Sequence, residues 1–146
     1  MTLPDEPQGV APRVFTYAEA EALLPSLEPV VRRVVGLRTA LRAVQTTLQE
    51  FRDVAARGGG GMPTGRFGEA RGEAERLMAG IAQSVQQIEA WGCVIKDLDQ
   101  GLVDFLWRHR GTTVFLCWKL GESSIGHWHG LREGFAGRKP LQGDDE

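Results

Sequence analysis

Between Leu27 and Ala55 the chain places an apolar residue at alternating steps of three and four: Leu27, Val30, Val34, Leu37, Leu41, Val44, Leu48, Phe51 and Ala55. Only a helix gathers that spacing on one face, and the alternation is that of a coiled-coil seam. Residues 27–57 as one helix span about 46 Å at ~1.5 Å per residue. The run Ala56-Arg57-Gly58-Gly59-Gly60-Gly61-Met62-Pro63-Thr64-Gly65 breaks the helix and supplies a turn. The period resumes at Phe67, Ala70, Ala74, Leu77, Ile81, Val85, Ile88 and Trp91, and Gly92 takes the position that follows a helix end. Two long helices joined by a short glycine loop fold back as an antiparallel hairpin.

The stripe varies along the hairpin. Val30, Val31, Val34 and Val35 broaden it at the base and Leu77 with Met78 midway, whereas Ala55, Ala70 and Ala74 leave it narrow near the tip. A broad stripe needs more than one partner, so the base is expected to pack on something else and the tip to stand out as an arm. Upstream, residues 1–14 hold three prolines and no apolar period, and read as a loose N-terminal arm. Thr16 with Glu19 forms a capping box for a helix start. Pro25 and Pro29 lack the amide hydrogen an established helix needs, so a short N-terminal helix is expected, with a new helix starting at Ser26.

After Gly92 the period becomes two. Cys93-Val94-Ile95-Lys96, Leu102 to Trp107 and Thr112 to Leu120 read as strands, with Asp97-Leu98-Asp99-Gln100-Gly101 as a turn and Arg108-His109-Arg110-Gly111 as a four-residue hairpin loop. Pairing Trp107 with Thr112 puts Val103, Phe105, Trp107, Val114, Leu116, Trp118 and Leu120 on the face that covers the helices. Leu102, Asp104, Leu106, Phe115, Cys117 and Lys119 share the other face, too apolar to be wet throughout and too polar for simple core. The tail, a second subunit or a ligand is expected to cover it. Arg132 to Arg138 reads as a helical turn, and the end, Gly143-Asp144-Asp145-Glu146, as solvated. The expected fold is therefore α+β: residues 15–92 as short helix plus helical hairpin, then residues 93–146 as a small antiparallel three-stranded sheet with an irregular tail on the hairpin base, one domain overall.

Several segments together resemble one family. They are Lys96-Asp97-Leu98-Asp99, Gly101-Leu102-Val103-Asp104-Phe105, Leu116-Cys117-Trp118-Lys119-Leu120-Gly121-Glu122, Ile125, Trp128-His129 and Gly134-Phe135-Ala136-Gly137-Arg138. With Phe15-Thr16, Glu19-Ala20 and Leu24-Pro25 near the start, they resemble the prokaryotic family numbered 2203 among the domains of unknown function. Glu21 stands where relatives often have Asn, and Leu106 where they often have Pro. The resemblance implies a fold and a cytoplasmic origin, and no biochemical role.

Charge narrows the function classes. Seventeen Lys and Arg against 19 Asp and Glu give a net charge of −2, without the basic excess that phosphate-backbone binding needs, so nucleic acid is not expected as a partner. A composition 42% hydrophobic and 25% charged belongs to a folded globular chain, and no apolar run reaches membrane-spanning length. Two cysteines make no disulfide framework, which fits a reducing cytoplasm. Gly58-Gly59-Gly60-Gly61 is followed by no Gly-Lys-Ser/Thr and is no phosphate loop, and Asp97-Leu98-Asp99-Gln100-Gly101 lacks the later ligands of a calcium loop.

The strongest chemical signal is Cys117, Glu122, His127 and His129. On an extended segment His127 and His129 point the same way, whereas on a helix they stand about 200° apart. Thiolate, imidazole and carboxylate suit zinc or another divalent transition metal. Asp104, diagonal to Cys117 in the assumed register, joins as a further ligand or as a hydrogen-bond partner to one. Against this, the more common arrangement has Cys117 as a small buried hydrophobe and Trp128 as an anchor flanked by solvent-facing histidines. Asp97, Asp99 and Asp104 with Lys96, Lys119 and Arg138 form an ionic set suited to acid/base chemistry or to a structural ion pair. Trp91, Trp107, Trp118 and Trp128 all follow residue 90 and mark a stiff small core. The leading expectation is a non-enzymatic, self-associating cytoplasmic scaffold, at least a dimer, through the arm or the open sheet face. The alternative is a small metal-binding protein, or a metal-dependent enzyme, built on the Cys117/Glu122/His127/His129 set.

Overall fold

Thr16 opens the first helix with a reciprocal cap. Its Oγ1 accepts from the Glu19 amide at 3.0 Å while its own amide donates to Glu19 Oε1 at 2.8 Å. In this computed structural model, which describes residues 12–58 and 64–143, helix α1 then runs unbroken over Tyr17–Ala56. The short N-terminal helix expected from Pro25 and Pro29 is thus the first part of α1. Both rings sit four residues apart on the exposed side, so the carbonyls they strand, at Glu21 and Pro25, lie on a strip open to water. The opposite face stays apolar through Ala20, Leu24, Leu27, Val31 and Val34, all buried. Continuity of that face outweighs two lost hydrogen bonds.

Helix α2, Thr64–Ala90, returns antiparallel to α1. Phe51 meets Phe67 edge-on at 5.9 Å near the tip, and Arg33 Nε donates to Ser84 Oγ at 3.2 Å near the base. Two apolar clusters result. Leu41, Leu48, Ala74, Leu77 and Ile81 join the helices along the arm, while the larger cluster unites the base with the sheet. Of the loose arm expected over residues 1–14, residues 1–11 lie outside the described residues, as do positions 59–63 of the glycine loop and terminal residues 144–146.

Among the described residues the sheet has six strands and is mixed, not three-stranded and antiparallel. Its centre is the hairpin of β3, Leu102–His109, and β4, Thr112–Lys119. Arg110 (φ 52°) and Gly111 (φ 85°) form its two-residue turn, since positive φ at both positions matches the twist of the strands. The expected four-residue loop is therefore shorter, and Trp107 pairs with Val114 instead of Thr112. This slip of two residues preserves parity, so both predicted faces survive. Antiparallel β2, Val94–Asp97, and parallel β1, Val14–Phe15, share the outer edge of β3 end to end. On the other side β4 pairs with β5, His127–His129, which pairs with β6, Lys139–Pro140. The tail thus adds two strands that its glycines obscured, and the helical turn expected over Arg132 to Arg138 narrows to a 3-10 turn at Phe135–Gly137.

One sheet face, with Phe15, Val103, Phe105, Leu116 and Trp118, packs on Leu24, Leu27, Val31, Val34 and Ile88. The tail is clipped to α1 by Tyr17 Oη, which donates to the Ile125 carbonyl at 2.9 Å, and by Glu21, whose carboxylate accepts from the Ile125 amide. The β2–β3 turn is held to α1 by Asp99, paired with Arg38 and Arg42. In that turn Gly101 has φ +74°, and a Cβ there would stand 2.9 Å from both Leu120 Cβ and Val31 Cγ1. Gly111 shares the positive φ but has open space around it. Gly101→Ala should therefore lower unfolding free energy by ~2–3 kcal/mol, and Gly111→Ala by ~1 kcal/mol, in denaturant titrations. Equal losses would show that the close approach to α1 contributes nothing.

Candidate metal centre

The second sheet face carries the chemistry. Direct pairing of Asp104 on β3 with Cys117 on β4, and of Cys117 with His127 on β5, lays three polar residues across one rung. His129, one rung along opposite Phe115, reaches back over Cys117, and its Nε2 lies 3.0 Å from Asp104 Oδ2. Asp104, Cys117 and His129 are 2%, 1% and 3% exposed, and one ligand atom from each falls within 4.8 Å of the other two.

The imidazole is oriented by its other nitrogen. His129 Nδ1 lies 2.8 Å from the Gly130 carbonyl, an acceptor, so Nδ1 carries the hydrogen. Nε2 of a neutral ring then turns a lone pair on a carboxylate oxygen. One proton between them, or one cation in its place, satisfies that contact. Burial raises the Asp104 carboxyl above the ordinary Asp range, although His129 pulls against it. Burial, followed by the charge of Asp104, pushes the Cys117 thiol up to about 12. Both shifts oppose loss of the Asp104 and Cys117 protons.

The same orientation argues against a nucleophilic Cys-His-Asp arrangement. One ring nitrogen is engaged by the Gly130 carbonyl and the other faces Asp104, so neither is placed to take the Cys117 proton.

The family model described as "Uncharacterized conserved protein (DUF2203)" matches residues 13–141. The chain belongs to this family. No curated protein and no solved structure matches it. The matched span of this DUF2203 chain covers every strand and both α-helices of the described residues, and the centre with them.

Of the four residues expected as ligands, the structure brings Cys117 and His129 together and leaves Glu122 and His127 outside the cluster. Glu122 is engaged elsewhere, accepting from Arg138 Nη2 at 2.7 Å and from the Lys119 amide at 2.8 Å. Burial works to raise its carboxyl, but these hydrogen bonds outweigh it and hold the group below the usual Glu range. His127 Nδ1 lies 3.9 Å from Glu122 and has no hydrogen-bond partner among the described residues. Asp104 lies in the cluster because the two-residue turn puts it directly opposite Cys117, where the assumed register left it diagonal. The ionic set also divides. Asp97 caps its own turn through the Asp99 and Gln100 amides, Lys96 lies over Phe115 at 4.8 Å, and Lys119 lies 5.7 Å over Phe135. Sequence reasoning missed the Gly130 carbonyl, since a backbone acceptor leaves no mark on residue type.

The tail from Leu131 to Phe135 passes over this face and leaves a cavity of about 330 Å³ between itself and the cluster. Metal-free protein should report the buried acid directly. The unfolded chain gives up the Asp104 proton at lower pH than the folded chain does, so this residue's contribution to stability falls as pH rises through the Asp range. Asp104→Asn, which can donate to Nε2 without charge, should flatten that fall in chelator-treated protein. Asp104→Ala strands Nε2 and should cost ~1–3 kcal/mol. An unchanged pH profile for Asp104→Asn would mean that the carboxyl titrates as it does in the unfolded chain.

Proposed function

We propose that this protein binds one divalent transition metal, of the zinc class, through Asp104, Cys117 and His129. The observation that carries the reading is the fixed His129 ring: Nδ1 is held by a backbone carbonyl and Nε2 is aimed at a carboxylate beside a thiol. Metal-binding histidines are oriented in this way by the nitrogen that does not bind. Ligand atoms around a tetrahedral zinc ion stand about 3.3–3.8 Å apart at ordinary bond lengths. A cluster held within 4.8 Å needs only small side-chain adjustments to reach that spacing. Thiolate and carboxylate together neutralise a divalent ion, which offsets the burial that disfavours the charged form of each.

Protein purified without chelator or polyhistidine tag should carry one metal ion per chain by elemental analysis. Cys117→Ser and His129→Ala should lose it, whereas Glu122→Gln should retain it. Uptake should release about two protons per ion at neutral pH, one from the thiol and one shared by Asp104 and His129. A metal-free protein that takes up no zinc or cobalt and releases no protons would overturn the reading.

Self-association through the arm is a second reading, favoured by Met78, which is 47% exposed. It borders a groove of about 240 Å³ with Leu48 and Ala74, flanked by Arg52, Arg71 and Glu75. Val31, in the broad stripe at the base of the hairpin, is buried against the sheet and contributes nothing to such a contact. A dimer is expected by light scattering, reduced to monomer by Met78→Glu, and a strictly monomeric wild type would rule it out.

A further inference from the structure

We infer, resting on the metal reading above, that the cavity over the cluster takes a small organic carboxylate with an apolar body, its oxygen occupying the position the three protein ligands leave open. All three ligands rise from one sheet face, so the open position of a four-coordinate ion points away from the sheet. What lies there is the cavity beneath the tail, not a protein side chain completing the set. At about 330 Å³ it is at the small end of ligand-binding cavities.

The lining specifies the ligand's chemistry. Leu102, Leu131 and Phe135 supply apolar walls. Phe135 is braced from outside by Arg138, 4.7 Å from its ring centre, and by Lys119. Lys96 and Arg132 bring positive charge to the cavity. The lining acid outside the cluster, Glu133, is neutralised locally: its Oε1 accepts from Lys139 Nζ and from the Gly130 amide, each at 2.7 Å. With a divalent ion balanced by Cys117 and Asp104, the remaining charge of the lining is positive. An anionic head for the ion and the two cations, joined to a short apolar body for the leucines and Phe135, is the chemistry that fits. A phosphate fits less well, because its remaining oxygens would face Leu131 and Phe135 without donors.

The experiment uses full-length protein loaded with cobalt(II), whose visible bands report on coordination and whose sulfur-to-cobalt charge-transfer band reports on Cys117 separately. Titration with isobutyrate should shift the visible bands saturably, about tenfold more tightly than formate, since the added carbons enter the apolar walls. Phe135→Ala should erase the advantage of isobutyrate over formate, and Lys96→Met should weaken both anions, with the charge-transfer band unchanged in each variant. Both side chains are exposed, so circular dichroism should show these variants folded. If the charge-transfer band is present and isobutyrate leaves the visible bands unmoved to high millimolar concentration, this inference fails and the metal reading stands. If inorganic phosphate shifts them and isobutyrate does not, the assignment of an apolar body is overturned. Absence of the charge-transfer band removes the metal reading and this inference with it.

Discussion

The pairing of β3 with β4 is the constraint on which the rest of the sheet depends. β1 and β2 take one edge of that hairpin and β5 the other, so an error in its register would propagate to every strand. The Arg110-Gly111 turn sets the register by its length and handedness, and a slip of one residue would turn the side chains of one strand to the opposite face. With Val103 and Phe105 kept on the helices, Leu116 and Trp118 would leave them and Cys117 would enter the core, away from Asp104. Core and candidate centre are opposite faces of one pairing.

The helices answer to this sheet. Leu24, Leu27, Val31 and Val34 are buried at the base because a β surface lies over them, and beyond it the contact narrows to the seam of Leu41, Leu48, Ala74, Leu77 and Ile81. The same burial explains how α1 tolerates Pro25 and Pro29. An isolated helix would break there, but one whose opposite face is anchored at Ala20, Leu24, Leu27 and Val31 keeps its course. The clips from Tyr17 and Glu21 to Ile125 then join the first turns of α1 to the segment that carries β5.

The candidate centre combines groups that disfavour one another when metal-free. A buried carboxyl and a buried thiol beside an oriented imidazole have too little water around them for their charged forms to be solvated. Such a cluster is costly unless protons stay bound or a cation replaces them. The adjacent Glu122–Arg138 pair resolves its charges internally, which is why it stands apart from the cluster despite its proximity in sequence.

Residue spacing alone determined the helical hairpin, the capping box at Thr16 and the parity of both faces of the β3–β4 hairpin. These are local properties: a period of 3.6 or 2 assigns each side chain a direction whatever it later packs against. The helix through Pro25 and Pro29, the short β1, β5 and β6 strands and the meeting of Asp104 with Cys117 and His129 were decided by tertiary structure. Each depends on a partner remote in the chain. Burial of one helix face outweighs two missing hydrogen bonds, an open sheet edge recruits strands too short to stand alone, and Arg138 reaches Glu122 across 16 residues while a two-residue turn brings Asp104 opposite Cys117. Sequence assigns direction along each element, and only the packing of elements selects which of the side chains sharing a direction come to meet.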